Sequence, residues 1–185
     1  MKTLVIFLFL GFSALITNAQ GVIELNEARV DYNPVFTQVT HKGNTFTAQI
    51  KESYLGQFEK DPMAFMKENF NVNQLIAQTN NKDFDAYIVS FRSRKGELKV
   101  NYDKEGNIVN AYQRFKNVSL PQAVAQQLFR ENKGWSMVKN VHVAFGRNGE
   151  VDKDFYRITM ENGKDRKKVK LDTKEARELG VAGNF

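Results

Sequence analysis

The residues of this chain with the most obvious capacity for chemistry are two histidines, His41 and His142, and two spaced carboxylate pairs, Asp83/Asp85 and Asp152/Asp154. Metal binding needs such groups at short, regular spacing. The histidines lie far apart and the chain has no Cys, so that spacing is missing. His41 is read as a loop residue and His142 as a strand residue, neither as a ligand. The carboxylate pairs could offer oxygens to a hard cation, but Lys82 and Lys153 sit next to them and neither pair continues into an EF-hand pattern. Each pair adjoins an aromatic residue, Phe84 or Phe155, and is read as a solvated strand end. A Gly-x-Ser-x-Gly elbow and a phosphate-cradling Gly-x-x-x-x-Gly-Lys loop are both missing. His41-Lys42-Gly43-Asn44 breaks the His-x-Gly-His pair that a nucleotidyltransferase would want. No catalytic residue, cofactor or metal is expected.

The remaining polar groups depend on strands to gather them. Tyr87, Val89 and Phe91 alternate with Ile88, Ser90 and Arg92, and Leu98, Val100 and Tyr102 alternate with Lys99 and Asn101. Further strands are expected at Ile108 to Phe115, Val141 to Phe145, Phe155 to Met160 and Val169 to Leu171, with others upstream at Val22 to Tyr32 and Thr45 to Ile50. Short links such as Arg94-Lys95-Gly96, Arg147-Asn148-Gly149 and Asn162-Gly163 are hairpin chemistry, which makes successive strands antiparallel. If Tyr87, Val89, Phe91, Val100, Tyr102, Val143, Ile158, Val169 and Leu171 face inward, the other face carries Arg92, Lys99, Asn101, His142, Arg157, Lys168 and Lys170. That face is polar and cationic. It is either a plain solvated sheet surface or a platform for an acidic partner.

Two prolines mark helix starts. Asp61-Pro62-Met63-Ala64 supplies an acidic N-cap with Pro at the first helical position, and Ser119-Leu120-Pro121-Gln122 repeats the plan. In the second helix Leu120, Ala123, Val124, Gln127 and Leu128 form one stripe, and Gly134 is expected to end it. Trp135, the one Trp, is read as core packing where that helix gives way to a strand. The predicted fold class is therefore α+β, an antiparallel sheet of about six or more strands covered on one face by two short helices. Tyr87-Ile88-Val89-Ser90-Phe91 followed by Val100-Asn101-Tyr102-Asp103 is echoed, at constant offset, by Tyr156-Arg157-Ile158-Thr159-Met160 and Val169-Lys170-Leu171-Asp172. The echo is compatible with a helix-plus-hairpin unit occurring twice. Two similar hairpins would look alike without duplication as well.

The 185 residues carry a formal charge of +6, with Lys and Arg interleaved with Asp and Glu almost throughout. Fifteen Phe and six Tyr supply burial that has to serve in place of disulfides. Met1-Lys2-Thr3, the apolar run Leu4 to Ile16 and the small residues before Gln20 have the layout of a secretory signal peptide over residues 1–19, cleaved after Ala19. The run is shorter than the ~20 residues of a spanning helix, and no Cys follows to carry a lipid, so no stable membrane insertion is expected after cleavage. Residues 20–53 are expected to add strands of uncertain attachment, and 54–185 to form the main domain.

The strand-turn-strand unit with Tyr102-Asp103-Lys104-Glu105-Gly106-Asn107-Ile108, the Leu120-Pro121 helix start and Gly134-Trp135 leading into new strands resemble the PepSY-like domains. These are small exported bacterial domains similar to β-lactamase-inhibitor proteins. The resemblance is best over residues 84–172. It implies a non-catalytic protein that holds a protease or another protein of the cell envelope or extracellular space, in the periplasm or fully secreted, and it transfers no site residues. The competing reading is a structural envelope protein that contacts polysaccharide or copies of itself; an enzyme ranks behind both. Nucleic acid is not expected as a partner, because the compartment is wrong and the aromatics are expected to point inward.

Overall fold

The computed structural model describes residues 26–27, 35–79 and 84–176. The expected signal segment, Asp83 and most of the expected Val22 to Tyr32 strand lie outside them. The strands are β1 (Asn26–Glu27), β2 (Phe36–Lys42), β3 (Thr45–Ile50), β4 (Ala86–Arg92), β5 (Gly96–Asp103), β6 (Ile108–Lys116), β7 (Ser136–Arg147), β8 (Glu150–Asn162) and β9 (Asp165–Asp172). They form one open sheet in chain order, with the two-residue β1 as a short addition to one edge. Every neighbouring pair is antiparallel except β3 and β4, which run parallel. That exception follows from the connection. A parallel pair needs a crossover, and here the helices α1 (Leu55–Lys60), α2 (Pro62–Asn69) and α3 (Val72–Gln78) provide it. Residues 36–50 therefore pair into the same sheet as the strands that follow.

A fourth helix, α4 (Gln122–Glu131), links β6 to β7. Two covering helices were expected, and among the described residues four lie between β3 and β7. The additional ones, α1 and α3, bury only Phe58 and Leu75 respectively, too little for a helical period to register in the sequence. At α2 the expected cap is present: the Ala64 N–H donates to Asp61 Oδ1 at 3.0 Å, with Pro62 at the first position. At α4, Pro121 occupies the cap position itself and no side chain caps the helix. The chain leaves this helix at Asn132, whose Nδ2 donates to the Leu128 carbonyl at 2.6 Å, two residues before the expected stop at Gly134.

One core runs the length of the sheet on the helix side. Phe58 of α1 meets Phe65 of α2 and Phe115 of β6 edge-on, with ring centroids 5.5 and 5.4 Å apart. Phe91, Leu98, Val100, Ile158 and Met160 complete the floor, and Val124 and Leu128 of α4 cover it. The Tyr102 hydroxyl donates to Met66 Sδ at 3.1 Å, and burial pushes its pKa well up. Tyr87 and Tyr156, equivalent in the sequence echo, are both buried, as are Val89 and Ile158. The echo thus links β4–β5 to β8–β9 on the same face. It breaks at β7, which stands between α4 and β8 with no counterpart between the first helices and β4.

Candidate functional site

Residues directly paired across neighbouring strands share a face, so the sheet register decides which side chains meet. Arg92 pairs with Glu97, Ser90 with Lys99 and Ile88 with Asn101, all on the side away from the helices. Arg157 pairs with Lys170 and Thr159 with Lys168 on that same side. Six of the seven expected contact residues therefore lie on the open face, in two groups at β4–β5 and β8–β9 separated by β6 and β7.

His142 does not join them. It pairs with Phe115, whose ring is packed under Phe58, so it must share the helix face, and Val143 is turned outward instead. The expected phase of β7 is reversed. Asn140 explains what holds the reversal: it is buried, its Oδ1 accepts from the Val118 N–H at 3.2 Å, and its Nδ2 donates to the Val118 carbonyl at 2.8 Å. These bonds tie the connection ahead of α4 to the interior side of β7. His142 then stacks on Tyr156 with centroids 4.3 Å apart, and its Nε2 lies 2.6 Å from Asp154 Oδ1. Both rings line a recess of about 580 Å³ between α1 and the Val118–Pro121 segment. His41, expected in a loop, is in β2 and stacks on Phe46.

The reversal gives the open face features the sequence reading missed. Val141, Val143 and Phe145 of β7 lie beside Phe155 of β8 and Tyr112 of β6, outside the core cluster. Arg114 and Lys116 of β6, Lys139 of β7 and Lys153 of β8 sit among them. Phe155 is only 8% exposed, because the Arg157 guanidinium lies 5.2 Å and the Lys170 ammonium 4.5 Å from its ring centroid. Arg147 similarly lies 5.9 Å from the Phe145 ring centroid and pairs with Asp152 at 2.8 Å. Cations resting on rings are held in place while their charge still faces solvent. The signal that could have revealed this strip was the run Val141-His142-Val143-Ala144-Phe145, which alternates bulky and small residues without saying which set is inside.

Acids are few on this face. Glu97 and Glu161 are held by Arg92 and Arg166, Asp172 sits opposite Phe155, and Asp103 and Glu150 lie at the margins opposite Ala86 and Arg147. The second expected carboxylate pair is split, Asp152 going to Arg147 and Asp154 to His142, and among the described residues no group of three His, Cys, Asp or Glu could hold a metal. Asn101 donates through Nδ2 to Asn110 Oδ1 at 2.8 Å. Trp135 is half-buried against the core, with the Lys167 ammonium 4.3 Å from its ring centroid. The face thus presents ordered positive charge around a shallow apolar centre, suited to binding carboxylates. The expectation that all aromatics point inward fails for Tyr112, Phe145 and Phe155. Among the described residues no helix is long and apolar enough to cross a membrane. No family model, curated protein or solved structure matches the chain.

Proposed function

We propose that this is an exported, non-catalytic binding domain of PepSY-like type that holds an acidic protein of the cell envelope or extracellular space on its open sheet face. The observation that carries the reading is the joint presence on that face of Arg92, Lys99, Asn101, Arg157, Lys168 and Lys170, where cations outnumber acids although Arg92 is itself paired with Glu97. Kinship with the PepSY-like domains rests on the quoted turns and helix start, and export rests on the layout of residues 1–19. The compartment remains the reason for setting nucleic acid aside.

Capture from an envelope fraction tests the reading. The tagged protein should return one partner in stoichiometric amount, and capture should weaken as salt rises. Reversing charge at Arg92, Lys99 and Lys168 together should abolish most of it. Unchanged capture would remove the open face from consideration. Retention on isolated cell-wall polymer without any protein would instead favour the structural reading, and turnover of a substrate would overturn both.

A further inference from the structure

The open sheet ends at β9, and among the described residues nothing pairs with that strand's outer edge. A bare strand edge is a row of unsatisfied N–H and C=O groups that invites another strand. β9 discriminates among candidates. Lys168 and Lys170 stand at alternate positions on the open face between Arg166 and Asp172, and a second copy laid antiparallel about Val169 would bring Lys168 against Lys170, which opposes pairing there. Lys170 is held in place, resting on the Phe155 ring beside Arg157, and Lys168 is exposed opposite Thr159. On the helix side of the same strand Leu171 is buried and Val169 packs half-buried against the core. The edge is cationic at Lys168 and Lys170 on one side, with Asp172 beyond them, and apolar at Val169 and Leu171 on the other, where Lys167 lies over the Trp135 ring.

From this we infer that β9 docks an extended acidic segment of the partner as a further strand, with carboxylates at alternate positions beside Lys168 and Lys170 and apolar side chains between them beside Val169. The inference rests on the binding reading above and supplies the partner's chemistry. In such strand addition the main-chain bonds give affinity and the alternating side chains give selectivity. The same lysine row that repels a copy of this chain attracts an acidic strand, so one feature both admits and excludes. An anionic membrane fits less well, because Phe155 is recessed beneath its cations and does not project to insert.

The test uses the full chain and a labelled eight-residue peptide alternating Glu with Val or Thr, followed by fluorescence anisotropy at two salt concentrations. Binding should weaken roughly ten-fold or more when alternate peptide nitrogens are methylated, because methylation removes main-chain donors without touching charge. Lys168→Glu with Lys170→Glu should weaken it by a similar factor. Lys60→Glu with Lys67→Glu, the same charge change at exposed helix positions, should cost no more than about two-fold. Equal binding by the methylated peptide, equal loss in the helix variant, tighter binding to anionic vesicles, or no peptide binding would each overturn the inference. The methylation arm uses the unaltered chain, so its outcome does not depend on how the variants fold. If envelope capture persists and responds to Arg92→Glu and Lys99→Glu while the peptide fails, the edge is wrong and the binding reading stands.

Discussion

β5 and β7 are both interior strands of one sheet, yet they are built in opposite senses. In β5, Leu98, Val100 and Tyr102 are buried beneath the helices and Lys99 and Asn101 face out. In β7, Asn140, His142 and Ala144 lie on the helix side and Val141, Val143 and Phe145 face away from it. An apolar strand interior needs only a hydrophobic neighbour. A polar one needs a named partner for each group, and β7 finds them in Val118 and Asp154. What β7 gives up inside, it places outside as the apolar strip of the open face.

That contrast can be broken most sharply in the rings. Phe115 is fully buried, so Phe115→Ala should destabilise by about 3–5 kcal/mol in urea unfolding. Phe145→Ala, on the open face, should cost less than about half of that; equal losses would mean the strip belongs to the core. Next come the asparagines. Asn140→Ala leaves the Val118 N–H and carbonyl without their partner and should cost about 2–3 kcal/mol, whereas Asn101→Ala should cost under about 1 kcal/mol. A smaller effect is expected at the helix cap, where Asp61→Ala should lose about 1 kcal/mol. The smallest concerns the β5–β6 turn. The Asn107 side chain, then its backbone and those of Glu105 and Gly106, hold the exposed Asp103 carboxyl below the usual carboxylate range. Its stabilising contribution is therefore complete above that range and fades as pH falls through the depressed value. A carboxyl chemical-shift titration should place Asp103 below the usual carboxylate range, and Asn107→Ala should move it part of the way back.

The strands were legible because period-two runs bounded by Gly-containing links leave few alternatives, and the Asp61-Pro62 start was legible because a cap is a local device. The phase of β7 was not. Alternation says that neighbours point opposite ways, and only the register with Phe115 and the bonds of Asn140 say which way is in. The helices α1 and α3 were missed for a related reason: with one buried residue each, they are held by tertiary packing and carry little periodic signal of their own. Among the contact residues, those on β4, β5, β8 and β9 could be read because their apolar alternates are large and unambiguous. His142 could not, since an aromatic that hydrogen-bonds suits either side of a sheet.

The parallel seam between β3 and β4 bears on how the molecule assembles. Every other neighbouring pair from β4 to β6 and from β7 to β9 closes through a short turn, so those contacts form between residues already close along the chain. The first hairpin has no such option: it reaches the sheet only once the three-helix crossover has brought β4 back beside it, and it bears the larger loop-closure entropy. A chain shortened to begin after Ile50 would leave Val89 and Phe91 bordering a raw margin.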